Sequence, residues 1–159
     1  MDLNDLFSAL QNTPVSQAVA ESSWIFPTVE SLHVLAITLV VGSILVVDLR
    51  LIGLASANRP PSEIEAQFLR ITWTAFAVAV LTGATLFLAK PVSYTHNPFF
   101  LGKLALLVLA AVNMAAFHWI VQPRAGLGAG RAAAQASGVL SLAIWIGVVA
   151  LGRWTGFTL

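Results

Sequence analysis

The hydrophobic positions of this chain fall into four long runs separated by short polar segments. The runs cover approximately residues 27–54, 68–88, 99–121 and 132–157, and none of them alternates apolar with polar positions as a half-buried strand does. Each run has roughly the 20 apolar residues that are needed to cross a hydrocarbon core of about 30 Å. Because a helix satisfies its own backbone in lipid, the pattern predicts an all-α integral membrane four-helix bundle.

A shorter pattern precedes the first run. Four apolar residues recur at helical spacing in residues 2–10, namely Leu3, Leu6, Phe7 and Leu10. The spacing predicts a short N-terminal amphipathic helix that lies on the membrane surface and ends before Pro14. The alternative is a disordered tail.

The composition agrees with a membrane protein and excludes several chemistries. Of the 159 residues, 58% are hydrophobic and 9% are charged, whereas soluble domains carry about 25% charged residues. We therefore expect a single transmembrane domain over residues 1–159 whose main partner is the lipid bilayer. The net charge of +1 gives no indication of nucleic acid. The absence of cysteine excludes disulfides, thiolate metal sites and cysteine nucleophiles.

The basic residues are distributed unevenly between the two ends of the predicted bundle. Five lie next to the connections after the first and third runs: Arg50, Arg59, Arg70, Arg124 and Arg131. Three lie toward the other end: Lys90, Lys103 and Arg153. By the positive-inside rule, this difference predicts that both termini are outside.

Ionisable residues near the predicted outer end are candidates for function, because such groups are costly in a membrane span. Glu30 and His33 are three residues apart and so share one helix face. A pair of this kind binds a metal, orients an imidazole or relays protons; the alternative is a hydrogen-bonded pair without a ligand. His96, in the short loop predicted at residues 91–98, is a further candidate ligand. Lys103 and Arg153 would form a cationic rim for carboxylates such as haem propionates, or would extend to the lipid headgroups.

A second possible site lies near the predicted inner end and comprises Asp48, Asn113 and His118. Contacts from Asp48 to His118 or to Arg70 would make it a structural latch, and the alternative is part of a quinone or proton site. At 1.5 Å per residue, His33 and His118 differ in depth by roughly 15–20 Å, so they cannot both ligate one haem. His33 and His96 can.

Two stretches, residues 24–54 and 97–118, resemble an uncharacterised family of small bacterial membrane proteins, and this match covers most of the chain. More distantly, the letters HVLA at positions 33–36 with Gly42, and Lys103 followed by leucine, resemble two further groups. These are the copper-resistance D-type proteins and the haem-dependent membrane protoporphyrinogen oxidases. The resemblance implies a bacterial inner membrane, His33 as a haem ligand and Lys103 as its partner. The DLR run at positions 48–50 departs from the pattern of the oxidases.

Together these features predict a b-type haem-binding membrane protein that transfers electrons between quinone and an outer-face partner. His33 is the expected axial ligand and His96 the candidate second ligand. Glu30 would orient an imidazole or handle a proton, while Lys103 and Arg153 would hold the propionates. One alternative is a protein that binds or transports copper or iron through Glu30 and His33. Another is a non-catalytic assembly subunit, and in each case we expect other membrane subunits or a homo-oligomer.

Overall fold

A computed structural model describes residues 2–54, 61–124 and 128–159 of the chain. Its helices are α1 (Leu3–Gln11), α2 (Pro14–Glu21), α3 (Ile25–Ile52), α4 (Pro61–Ala89), α5 (Pro91–His96), α6 (Pro98–Ala116) and α7 (Gly128–Thr158). After α6 the chain continues through a π-helical turn, Phe117–Val121, and a 3-10 turn, Gln122–Arg124. These ranges contain no strand, so the predicted all-α class is confirmed.

Four helical segments are long and apolar enough to cross a membrane. They are Ile25–Ile52, Leu69–Ala89, Pro98–Val121 and Gly130–Thr158, close to the four predicted spans. The chain is therefore a multi-pass membrane protein. The inner membrane and the outward-facing termini stay predictions, and Arg59, which enters that charge count, lies outside the described residues, as does the side chain of Arg124.

Two segments differ from the sequence-based expectation. Pro14 does end α1, but it also opens a second short helix, α2. At the first position of a helix proline loses no hydrogen bond, and the Thr13 side chain caps this helix by accepting from the Ser16 N–H at 3.3 Å. The predicted loop at residues 91–98 is also wrong. Pro91, like Pro14, is the first residue of a helix, and His96 is the last residue of that helix, α5.

The four long helices pack in the order α4, α3, α7, α6. α3 packs against α4 and α7, and α7 packs against α3 and α6. Within the described ranges the backbones of α4 and α6 do not approach each other. We call the two ends of the bundle the terminal end, where Asn97 donates to Thr158 at 2.8 Å, and the loop end, where Gln135 donates to the Ile52 carbonyl at 3.2 Å.

The gap between α4 and α6 is closed at the terminal end by aromatic side chains. Phe87 of α4 stacks on Phe100 of α6 with ring centroids 5.9 Å apart, and Tyr94 of α5 lies 4.9 Å from Phe100. Phe7 of α1 meets Phe87 edge-on at 6.0 Å. These four rings form what we call the aromatic cap. Through it the amphipathic helix α1 packs across the end of the bundle; its predicted place on the membrane surface stays a prediction.

Close approach of α3 and α7 depends on Gly138. A Cβ at this position would lie 3.2 Å from the Asp48 carbonyl oxygen and 3.2 Å from Leu51 Cβ, both in α3. Such contacts between small residues drive helix association in lipid, where the hydrophobic effect between helices is absent. Gly42, on the same helix as Asp48, differs: no described atom lies within 4 Å of a Cβ built there.

We expect Gly138→Ala to lower the thermal unfolding temperature of the detergent-purified protein. The added methyl group meets backbone that cannot rotate away, at a cost of about 1–3 kcal/mol. Gly42→Ala is the matched control. Because its methyl group has room and alanine favours a helix, its unfolding temperature should be unchanged or higher. Equal unfolding temperatures for the two variants would contradict the packing described here.

Candidate functional site

His33 of α3 is held against α4 by a hydrogen bond to Thr82. Its Nδ1 lies 2.9 Å from Thr82 Oγ1, and the Thr82 hydroxyl donates its single proton to the Val78 carbonyl at 2.7 Å. Thr82 therefore accepts from His33, and the Ala79 carbonyl is a second acceptor at the ring. The proton of the neutral ring is thus on Nδ1. In this tautomer the lone pair is on Nε2.

Glycine in α4 makes room for this ring. A Cβ at Gly83 would lie 3.0 Å from His33 Cε1, which is tighter than most Cβ contacts in proteins. Thr82 therefore bonds to the ring, and the neighbouring Gly83 leaves space for it because it has no side chain. The sequence indicates Gly83 only as a small residue that allows close packing of helices, and Thr82 was missed, although a Thr-Gly pair within an otherwise apolar run is the signal that could have indicated it.

Lys103 of α6 lies on the other side of the gap, near His33. Its charge acts on the His33 ring, and its side chain lies along α7, where a Cβ at Gly152 would be 3.8 Å from Nζ. Neither a hydrogen bond nor an ion pair to Lys103 occurs among the described residues. The structure therefore brings together two of the predicted residues, a histidine and an ammonium group without an acidic partner.

Glu30 and His96 are not part of this pair. Glu30 is exposed, and it acts on Tyr94 instead of His33: burial, and secondarily the charge of Glu30, raises the pKa of the Tyr94 phenol. His96 is exposed at the end of α5, and its Nδ1 lies 2.9 Å from the Val92 carbonyl. The described contacts thus join neither residue to His33.

Arg153, the fifth predicted residue of the outer site, is exposed near the end of α7. Its guanidinium lies 4.3 Å from the centre of the Phe157 ring, four residues further along the same helix. A contact of this kind is a cation–π interaction. The arginine is therefore engaged locally, at the surface of the bundle.

A cleft of about 560 Å³ occupies the gap between α4 and α6 toward the loop end. All four long helices contribute to its walls. Seven of the side chains in its lining are polar: Asp48, Thr72, Asn113, Ser137, Ser141, Gln122 and, on the π-helical turn, His118. The structure thus places the three residues of the predicted second site on one cleft. Ser137 and Ser141 were missed, although their spacing of four puts both on one face of an apolar helix.

The direct contacts expected from Asp48 are absent from the described residues. His118 is exposed, and its Nδ1 lies 3.0 Å from the Met114 carbonyl of its own helix. Arg70 is exposed and borders a separate groove with Leu32 and Leu35. Among the described residues, therefore, no contact forms the predicted latch: His118 lines the same cleft as Asp48 without a hydrogen bond to it, and Arg70 borders a different groove.

Polar groups of the cleft differ in how well they are satisfied. Asn113 donates to the Ser137 carbonyl at 3.1 Å and accepts from the Ser137 hydroxyl at 3.1 Å. Asp48 is only 4% exposed. Ser141 is a hydrogen-bond partner of the Asp48 carboxyl group, but the carboxyl oxygen Oδ2 is buried without a partner in the described part of the chain. Burial of Asp48 therefore lowers the stability of the fold, whereas burial of the Asn113–Ser137 pair is compensated by its hydrogen bonds.

We expect Asp48→Leu to raise the unfolding temperature, because leucine of similar size removes a buried oxygen whose missing hydrogen bond costs about 1–3 kcal/mol. Asn113→Leu is the matched variant in the same cleft. It should lower the unfolding temperature, since it breaks both hydrogen bonds to Ser137. Thermal unfolding in one detergent compares the two variants. A fall for Asp48→Leu as large as that for Asn113→Leu would show that Asp48 is structural.

Comparison with known proteins identifies a family and no activity. Residues 21–158, nearly the whole chain, match a family of unknown function, DUF6644. No curated protein and no solved structure matches the chain. The expected resemblance to an uncharacterised family is confirmed. The more distant resemblance to copper-resistance proteins and protoporphyrinogen oxidases has no support from these comparisons.

Proposed function

The chain belongs to this family of unknown function, and we propose that it is a b-type haem protein that transfers electrons between quinone and a partner at the terminal end. The observation that supports this proposal is the state of His33. Histidines that bind metals have their other ring N–H fixed by a hydrogen bond, which sets the tautomer and the ring orientation. Thr82 does this for His33 in the tautomer with the proton on Nδ1, and the lone pair of that tautomer is on Nε2.

Lys103 supplies the second feature that a haem site needs, a positive charge for a propionate group. A charged lysine in a membrane span costs several kcal/mol unless an anion compensates it. A haem brings both an iron for an imidazole nitrogen and carboxylates for an ammonium group, and it supplies one-electron chemistry when bound. His33 would hold the iron and Lys103 a propionate. The roles predicted for His96 as second ligand, Arg153 at the propionates and Glu30 at an imidazole stay predictions.

The two alternatives are less well supported by the geometry. A bare copper or iron ion usually needs several protein ligands. Within the described ranges no group of three or more His, Asp or Glu side chains is placed to hold a metal ion. A non-catalytic assembly subunit makes no demand on the tautomer of His33, so the experiment that tests the haem also tests this alternative.

We expect the protein, purified in mild detergent from cells supplied with a haem precursor, to show a Soret band, with sharp α and β bands after reduction by dithionite. His33→Ala should abolish these bands. His118→Ala, on the separate cleft, is the matched control and should retain them. His96→Ala should change the shape of the reduced bands if His96 is the second ligand.

A flat visible spectrum from folded wild-type protein would refute the haem proposal and favour the assembly subunit. An unchanged spectrum in His33→Ala would remove His33 from the site. Metal analysis of the same preparations separates the copper or iron alternative from both.

We expect Thr82→Val to lower haem affinity by roughly 10-fold or more, the usual effect of losing the hydrogen bond that orients a ligand. Thr85→Val is the control in the same helix, because the Thr85 hydroxyl donates only to the Leu81 carbonyl of its own turn, at 2.9 Å. Haem titration of the apo-proteins measures both. Equal affinities for the two variants would contradict the positioning role of Thr82.

A further inference from the structure

We infer that the cleft between α4 and α6 binds a lipid-soluble hydroquinone whose two hydroxyl groups donate to Asp48 and His118. The inference deepens the proposed function, since it gives the quinone a place in the molecule. It rests on residues that are separate from His33 and Lys103, and the binding does not require haem.

The first acceptor is Asp48 on α3. It lines the cleft, it is 4% exposed, and its Oδ2 has no hydrogen-bond partner among the residues that the structure describes. Nearly all buried polar groups in proteins are satisfied, so an unsatisfied carboxyl oxygen beside a cavity indicates a missing donor. Ser141 engages the carboxyl group and so restrains its orientation.

The second acceptor is His118, on the turn that follows α6. Its Nδ1 faces the Met114 carbonyl at 3.0 Å. A carbonyl only accepts, so Nδ1 carries the proton and the lone pair of the neutral ring is on Nε2. His118 is exposed whereas Asp48 is buried, which places His118 at the rim of the cleft and Asp48 inside it.

The volume and lining of the cleft fit an aromatic ring that carries hydroxyl groups. Its volume of about 560 Å³ is within the range of roughly 300–1,000 Å³ that is typical of small-molecule sites. Trp73, Phe76 and Trp145 lie in its walls. Asn113 and Ser137 satisfy each other, so the cleft presents acceptors to a ligand at Asp48 and His118. An oxidised quinone has no O–H to donate and should bind more weakly.

The experiment measures equilibrium binding of a radiolabelled short-chain hydroquinone to the protein in lipid nanodiscs, with empty nanodiscs subtracted. It uses wild-type protein and the His33→Ala variant. The comparison ligands are the dimethyl ether of the same hydroquinone, which keeps the ring and the tail but has no O–H, and the oxidised quinone. We expect both to bind at least about 10-fold more weakly, the effect of losing hydrogen bonds to buried acceptors.

Variants locate the site. Asp48→Leu keeps the branched shape of the side chain and should reduce hydroquinone affinity about 10-fold or more, and His118→Ala about threefold. Thr74→Val is the control in α4, because Thr74 is exposed, borders the other groove and bonds to its own helix at the Arg70 carbonyl. It should leave the affinity unchanged.

Equal binding of the hydroquinone and its dimethyl ether, or full affinity in Asp48→Leu, would overturn the inference and make the cleft an apolar site for lipid chains. The haem proposal is tested independently of this inference. Hydroquinone binding in a protein with a flat visible spectrum would refute the haem and leave the cleft site standing. A haem spectrum without hydroquinone binding would support the haem and overturn the inference about the cleft.

Discussion

Close packing of α3 against α7 at Gly138 is the constraint on which the rest of the bundle depends. With these two helices in the centre, α4 is held by α3 and α6 is held by α7. Among the described residues, the aromatic cap at one end is what joins α4 and α6. In lipid no hydrophobic effect forces such a gap to close. The gap is therefore a stable feature of the fold, and it is where the unusual side chains lie.

These side chains follow one another along the gap. The aromatic cap closes the terminal end, His33 and Lys103 lie next, and Asp48 lies toward the loop end. His33 and Asp48 are on one helix, and the rise of 1.5 Å per residue separates them by roughly 20 Å along the bundle. Such a separation suits two sites with different ligands and not one site with many ligands. It agrees with a haem near one end and a hydroquinone near the other.

The sequence predicts the parts of this structure that depend on local properties. The four spans follow from the length and hydrophobicity of each run, and α1 follows from its helical spacing. The partners of the ionisable residues depend on the order of the helices, which no local pattern contains. Glu30 and His33 show the difference: they share a helix face as expected, yet one acts on Tyr94 and the other bonds to Thr82. The helix α5 was missed because Pro91 indicates a loop as readily as a helix start.

Hydrogen-bond satisfaction separates structural from functional polar residues in this bundle. Asn113 would be as suspect as Asp48 on composition alone, since both are polar groups in apolar helices. Asn113 makes two hydrogen bonds with Ser137, so these two residues serve as an interhelical contact between α6 and α7. Asp48 Oδ2 and Lys103 Nζ have no such explanation within the described residues. A fold that retains two incompletely satisfied groups along one gap gives up stability there, and ligands that complete them would restore it.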